Sequence, residues 1–271
     1  MSSTLAYITW NASPEIAHLG PLTLRWYGLL FATGFLAGLY MVRNMFKAEN
    51  EPEEWLDKIF IYMVVGAVLG ARLGHVFFYD WGYYSKHLGE IPMVWEGGLA
   101  SHGGAIGIII SLWVFSKYTS KRSLLWILDK VVVPSALAGC FIRLGNLMNS
   151  EILGRATDVS WAFVFTRVDQ APRHPVQLYE SLTYLLSFFI LFYTYWKTDK
   201  RHKQGYIFGL FMVLIWVFRF FIEFFKDSQG GLEQYFGGAL STGQLLSIPF
   251  AAVGLYFMFR NRQPEPTANN R

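Results

Sequence analysis

The chain has 271 residues, of which 53% are hydrophobic, 18% are aromatic and only 15% are charged. Soluble domains carry about 25% charged residues, so this composition excludes an ordinary soluble domain and indicates a protein that crosses a membrane several times. The net charge of +4 does not indicate a nucleic-acid partner, because the basic residues lie between apolar segments rather than along one face. We therefore expect membrane lipids, and no nucleic acid, as partners.

The single cysteine, Cys140, excludes an internal disulfide, and no spacing of Cys and His residues is typical of a zinc site. We expect no metal and no cofactor. The first twenty residues lack the positive segment and short apolar core of a cleaved signal peptide. The first apolar segment is therefore expected to remain as a membrane anchor.

A spanning helix needs about 20 mainly apolar residues. Seven segments are predicted to be spans: about 20–42, 57–79, 99–116, 125–148, 177–196, 205–225 and 242–260. Most Lys and Arg residues outside the spans fall on one side of this topology, and short cytoplasmic segments are enriched in such residues. The expected fold is an all-α polytopic membrane protein with about seven transmembrane helices, its N-terminus outside and its C-terminus inside.

Residues 1–262 are expected to form one seven-helix membrane domain. The outside segments at about 80–98 and 151–176 are long enough to form a small extracytoplasmic cap, and residues 263–271 are expected to be a short disordered cytoplasmic tail. Glycines recur at intervals of four, as in Gly66, Gly70 and Gly74 and in Gly103 and Gly107. Close helix packing is the default explanation for that spacing.

The third predicted span begins at GLASHGGAIG, where Ser101 is expected to cap a helix that starts with His102. The free N–H groups and positive dipole of a helix start favour an anionic phosphate, and Gly103 and Gly104 would let it approach the backbone. The same dipole disfavours a charged imidazole, so His102 is expected to be neutral and able to accept a proton. An interfacial histidine followed by a glycine-rich packing face is the alternative.

The segment FIRLGNLMNSEILG, residues 141–154, places an arginine, two asparagines and a glutamate at the outer end of the fourth span. Arg143 and Asn146, spaced i, i+3, share one helix face, and Asn149 lies within a turn of them. An arginine at mid-helix in a bilayer costs about 2.5–3.5 kcal/mol, which favours a function for the cluster. The alternative is an arginine that extends to the interface, but that would require neither the carboxamides nor Glu151.

Arg219 and Glu223 are spaced i, i+4 in the sixth span and are expected to pair. Charge compensation within the membrane is the simpler explanation of such a pair. Tyr27 is placed at the outer end of the first span, where a residue of the aromatic belt is also expected. These polar groups gather toward the outer side, which predicts a site for an anionic lipid headgroup.

Two other classes of function remain open on these residues. A transporter or flippase for an anionic lipid also needs arginines within the membrane, although no internal repeat is visible in the sequence. A non-enzymatic lipid-binding or assembly protein could use the glycine-rich helices as interaction surfaces, but it gives no reason for a histidine at a glycine-rich helix start.

With these residues assembled, the sequence resembles the prolipoprotein diacylglyceryl transferases of bacteria over most of its length. The resemblance rests on LRWYG (24–28), HGGAIG (102–107), RLGNLMNSEILG (143–154), RHPVQLYE (173–180) and RFFIEFF (219–225), in the order of the family. Ile142 and Leu147 stand where the family often has Gly and Phe. Neither position supplies a polar group, so the resemblance is unaffected.

The resemblance implies an enzyme of the bacterial cytoplasmic (inner) membrane with its active site toward the extracytoplasmic side. Its substrates would be phosphatidylglycerol and preprolipoprotein signal peptides with a lipobox cysteine. The diacylglyceryl group would be transferred to the cysteine thiol, which forms a thioether and releases glycerol phosphate. No metal or nucleotide is required.

The expected catalytic residues are His102 as the base and Arg143 and Arg219 as binders of the departing phosphate. Asn146 and Asn149 are expected to orient the headgroup. The remaining expected substrate-binding residues are Tyr27, Gly103, Gly104, Glu151, Gly154 and Glu223. An arginine-assisted thiolate, without a histidine base, stays open as an alternative.

Overall fold

The computed structural model describes residues 7–20, 22–227 and 240–260, so the tail expected at 263–271 lies outside the described residues. The helices are α1 (Trp26–Ala48), α2 (Glu54–Phe78), α3 (Trp81–Tyr84), α4 (Ser101–Val114), α5 (Leu124–Asn149), α6 (Val176–Lys197), α7 (Tyr206–Ile222) and α8 (Thr242–Phe259). The protein is mostly helical, as the composition predicts.

Among the described residues, six helices are long and apolar enough to cross a membrane: α1, α2, α5, α6, α7 with the turn that follows it, and α8. Each coincides with a predicted span. The third predicted span, 99–116, corresponds to α4, which has 14 residues and continues directly into a π-helical segment, Phe115–Ser120. An α-helix of that length rises about 21 Å, so α4 alone is shorter than a bilayer core of about 30 Å.

The expectation of purely helical structure omitted two small sheets. Strand β1 (Ile8–Trp10) pairs in parallel with β4 (Phe163–Phe165), which pairs antiparallel with β5 (Pro172–Arg173). Strands β2 (Glu15–Leu19) and β3 (Leu22–Arg25) form an antiparallel hairpin. The first span therefore begins at Trp26 rather than at about 20, because the apolar residues just before it belong to β3.

The described chain divides into two compact units, and the boundaries of these units fall within α1 and α5. The central unit comprises 39–128, and the terminal unit comprises the described residues up to 38 and from 129 onward. In the central unit, α2 and α4 cross at glycines. A Cβ added at Gly103 would lie 2.7 Å from Gly74 Cα, and one added at Gly107 would lie 2.8 Å from Gly70 Cα. This confirms close packing as the reason for that glycine pattern.

In the terminal unit, a small hydrophobic core forms where the three-stranded sheet meets the end of α5. Leu147, Phe163 and Phe165 are buried there, and Trp10 packs against them. Trp10 Nε1 also donates a hydrogen bond to Leu147 O at 3.0 Å. The sheet thus fixes the end of α5, which carries the polar residues of the predicted site.

Candidate functional site

The polar end of α5 turns back on itself. The helix ends at Asn149, and the next residues include Ser150 and Ile152 with φ values of 57° and 55°, in the left-handed region. Such values are uncommon for residues other than glycine. The reversal is fixed by the backbone N–H of Glu151, which donates to Asn146 O at 3.0 Å. It brings the Glu151 carboxylate back onto the last turn of α5.

The carboxylate of Glu151 organises both predicted asparagines. Asn146 Nδ2 donates to Glu151 Oε2 and Asn149 Nδ2 donates to Glu151 Oε1, each at 3.1 Å. Arg143 Nη1 donates to Asn146 Oδ1 at 3.3 Å. Gln177 Nε2 donates to Glu151 O at 2.6 Å, so α6 also supports the turn. The structure therefore brings together the predicted residues of this motif in one hydrogen-bond network.

Two residues without an assigned role in the sequence analysis complete this network. Glu180 of α6 forms an ion pair with Arg143, with Oε2 2.9 Å from Nε, and its Oε1 accepts a hydrogen bond from Lys226 Nζ at 3.1 Å. Glu180 is 4% exposed and Lys226 is 6% exposed. Buried charges are normally paired, and these three groups satisfy that rule. Glu180 lies in the RHPVQLYE motif and could have been noticed. Lys226 lies beyond the last apolar turn, and nothing in its local sequence indicates burial.

The expected pairing of Arg219 with Glu223 is wrong. Glu223 follows the last residue of α7 and still donates its backbone N–H to Arg219 O, but its carboxylate forms no ion pair with Arg219 among the described residues. Glu223 Oε2 instead lies 3.7 Å from Lys226 Nζ. Arg219 stacks over Trp216 at 5.6 Å, and its Nε is buried without a hydrogen-bond partner among the described residues.

A small cavity lies beside Arg219, between α6 and α7. It has a volume of about 10 Å³, and its lining includes Glu180, Thr183, Tyr184 and Arg219. A space of that size holds about one water molecule. Arg219 and Glu180 thus line the same small cavity, and Arg219 forms no ion pair with a carboxylate in the described part of the chain.

Gly154 and Tyr27 lie in the same unit as this network. A Cβ at Gly154 would lie 2.8 Å from His174 Cβ and 2.8 Å from Phe225 O, so a glycine is required for the close approach of these segments. The Tyr27 ring packs against Gly145, where an added Cβ would lie 2.7 Å from the ring. Tyr27 is therefore placed one residue away from Asn146 along α5.

His102 belongs to the central unit and is the second residue of α4, with an exposed side chain. The expected capping role of Ser101 is wrong, because Ser101 is already the first helical residue and the cap position is Ala100. The N–H of Ala100 donates to Ala71 O at 2.9 Å, which fixes the chain to α2 just before the helix starts. Gly103 and Gly104 are buried, and Gly103 faces α2.

Arg72 fixes the segment that leads to α4. It is 2% exposed and donates to three carbonyl oxygens, those of Glu90 at 2.6 Å, Gly97 at 2.7 Å and Ile91 at 2.8 Å. Its guanidinium also lies 4.9 Å from the centre of the Tyr84 ring. Arg72 lies in the predicted span 57–79, and the sequence indicates no partner for it. Its acceptors are backbone carbonyl groups, which every residue has, so they could not be predicted from the sequence.

A second histidine lies at the start of α6. Trp161 Nε1 donates to Tyr179 Oη at 2.8 Å, and Tyr179 Oη lies 3.2 Å from His174 Nδ1. The tautomer of His174 decides whether Nδ1 or the tyrosine hydroxyl donates in this contact. Burial lowers the pKa of His174 from its usual value of 6.5, so a neutral ring is favoured.

Comparison with known proteins agrees with this arrangement of motifs. The family model described as "Prolipoprotein diacylglyceryl transferase" matches residues 14–260. The chain is 48% identical over 258 residues to the phosphatidylglycerol–prolipoprotein diacylglyceryl transferase of Chloroherpeton thalassium, covering 95% of this chain and 96% of the relative. It is 47% identical over 249 residues to the protein of the same name from Tolumonas auensis, covering 92% and 95%.

The protein of the same name from Bacteroides fragilis is 43% identical over 271 aligned residues, covering 96% of this chain and 97% of the relative. These comparisons confirm the resemblance drawn from the motifs. The chain belongs to the prolipoprotein diacylglyceryl transferase family, a family of transferases.

Proposed function

We propose that this chain transfers the diacylglyceryl group of phosphatidylglycerol to the thiol of the lipobox cysteine of preprolipoproteins. The reaction forms a carbon–sulfur bond, breaks the bond between the glycerol carbon and the phosphate oxygen, and releases glycerol phosphate. The thiol proton passes to a base. The observation that carries this proposal is the buried network around Arg143 beside an Arg219 that no described carboxylate neutralises.

The two arginines suit the departing phosphate. Arg143 uses Nε and Nη1 for Glu180 and Asn146, and no described residue accepts a hydrogen bond from its Nη2. The Glu223 carboxylate lies 3.7 Å from Lys226 Nζ rather than against Arg219, so Arg219 is available to bind an anion. Planar guanidinium groups bind phosphate oxygens through two hydrogen bonds and stabilise the charge that develops as the bond breaks.

We assign the base to His102. A free thiol has a pKa of about 8.5 and is mostly protonated at neutral pH, so attack on the glycerol carbon needs a proton acceptor. His102 is exposed at the second residue of α4, so its imidazole is accessible to a substrate thiol. We also assign to the first turn of α4, at Gly103 and Gly104, a contact with the phosphatidylglycerol headgroup.

The remaining substrate contacts are proposed for residues of the network and its neighbours. Asn146, Asn149 and Glu151 orient the headgroup, and Tyr27 contacts it from α1. Gly154 allows the close approach of the segments at His174 and Phe225 that support the network, and Glu223 lies near Lys226.

The membrane arrangement belongs to the same proposal. We assign the seventh span to the continuous helical segment 101–120, and we place the N-terminus, the segments 80–98 and 151–176 and the active site on the extracytoplasmic side of the inner membrane. Both units then form one membrane domain. The concentration of Lys and Arg in the predicted cytoplasmic segments supports this orientation.

Arg143→Lys tests the phosphate assignment. A point charge cannot replace the planar fork, so we expect the variant to lose most of its transfer activity while Arg167→Lys, at an exposed arginine with one long contact of 3.5 Å, keeps it. Full activity of Arg143→Lys would show that the site requires a positive charge at this position but not a planar guanidinium group. Near-normal turnover of His102→Gln at neutral pH would show that another group activates the thiol.

A transporter of anionic lipids is the alternative from another class. Turnover by the detergent-solubilised protein separates the two, because transport needs a sealed membrane and group transfer does not. Product formed in detergent supports the transferase.

A further inference from the structure

A buried carboxylate near the start of α5 caps a different helix. Asp129 is 2% exposed, and its two oxygens accept hydrogen bonds from the backbone N–H groups of Gly205 at 2.6 Å and Phe208 at 2.7 Å. The first N–H groups of a helix have no partner within the helix. Helix α7 has Gly205 at its cap position and no side-chain cap of its own, so α5 supplies the cap for α7.

This contact fixes α7 along the axis of α5. Arg143 follows Asp129 by fourteen residues on α5, and Arg219 follows Gly205 by fourteen residues on α7. At 1.5 Å per residue both intervals rise about 21 Å. Two helices joined at one end by Asp129 therefore carry their arginines at similar heights at the other end.

The contacts of Glu180 also place the two arginines at similar heights, without any use of helix lengths. This second observation matters because Pro134 lies inside α5 between Asp129 and Arg143. Glu180 pairs with Arg143 at 2.9 Å, and it lines the cavity that Arg219 also lines. The same carboxylate on α6 thus faces both arginines. Asp129 lies about 21 Å from them along α5 and contacts neither.

We propose that Asp129 is a positioning residue that sets the height of α7 against α5, so that Arg219 lies beside Arg143 at the phosphate of the lipid substrate. This inference rests on the proposed function for its catalytic consequence. Its structural part, the level of the two arginines, can be tested without any activity.

The kinetic test compares Asp129→Ala and Asp129→Asn with wild type in detergent, well below the unfolding temperature of each variant. We expect kcat per folded molecule to fall about 10- to 100-fold in Asp129→Ala, with a smaller change in KM, since a displacement of about 1 Å can cost that much. Asp129→Asn keeps one acceptor oxygen and should be intermediate. The matched control is Glu51→Gln, which breaks the buried ion pair with Arg122 in the central unit; it should lower stability and keep kcat.

The structural test measures the distance between spin labels at Met148, half-buried near the end of α5, and Phe221, exposed on α7, in a Cys140→Ser background. We expect Asp129→Ala to shift this distance by about 1.5 Å or more, the rise of one residue, and Glu51→Gln to leave it unchanged. An unchanged distance, or wild-type kcat per folded molecule in Asp129→Ala, would overturn the positioning role. An inactive wild-type protein whose label distance still depends on Asp129 would instead disprove the proposed function alone.

Discussion

Replacing Glu180 by Gln keeps the shape of the side chain and removes the charge that two cations share. The carboxylate is 4% exposed and lies 2.9 Å from Arg143 Nε and 3.1 Å from Lys226 Nζ. Removing one partner of a buried ion pair costs about 3–5 kcal/mol, because a charge is left uncompensated. Each kcal/mol of lost stability lowers the unfolding temperature by about 2–4 °C, so we expect Glu180→Gln to unfold about 10 °C below the wild-type protein.

The assay is thermal unfolding of purified protein in detergent, followed by transfer activity at a temperature where the variant is folded. Activity should also fall, since Arg143 loses the group that orients its Nε. The matched control is Glu53→Gln, which also removes a carboxylate shared by two cations, Arg43 at 3.2 Å and Lys47 at 3.1 Å, but at an exposed site. Exposed pairs contribute little. Equal unfolding temperatures for both variants would refute the importance of the buried network.

Three further changes have expected outcomes. Gly107→Ala should lower thermal stability by about 1–3 kcal/mol through overpacking, whereas Gly28→Ala, with nothing within 4 Å of the added methyl, should not lower it; equal losses would contradict the packing argument. His174 has a pKa lowered by burial, so its contribution to stability is complete above pH 6.5 and is lost as pH falls through the folded value. His174→Gln should therefore flatten the pH dependence of unfolding below pH 6.5, and an unchanged slope would argue against it. Arg72→Lys should increase hydrogen exchange in 88–97, where three carbonyls lose their shared donor; unchanged exchange would show that other contacts fix the segment.

Much of the helical architecture could be predicted from hydropathy alone. The predicted span at 125–148 corresponds to α5 at Leu124–Asn149, and that at 177–196 corresponds to α6 at Val176–Lys197. Runs of about 20 apolar residues have one favourable solution in a bilayer, since all backbone hydrogen bonds must be made within the segment. The strands of two to five residues are too short for a periodic pattern to appear, and they were missed.

The network around Arg143 could be predicted only in part. Arg143 and Asn146 are spaced i, i+3 on α5, so helix geometry indicates that they meet. Glu151 joins them only through the chain reversal at Ser150 and Ile152, which the sequence does not indicate. Lys226 could not be found in this way, because its partner Glu180 is on another helix. The expected pairing of Arg219 failed because the Glu223 carboxylate lies near Lys226 Nζ instead, and spacing alone does not tell which of two nearby cations a carboxylate approaches.

The transferase function is tested most directly by mixing purified protein with phosphatidylglycerol and a peptide that bears a lipobox cysteine. The peptide mass and the release of glycerol phosphate are followed, beside His102→Ala and Arg143→Ala controls. We expect the peptide to gain one diacylglyceryl group, with release of an equal amount of glycerol phosphate, and we expect both variants to lose this activity. No mass gain from protein that is folded and binds phosphatidylglycerol would contradict the transferase function and favour lipid transport.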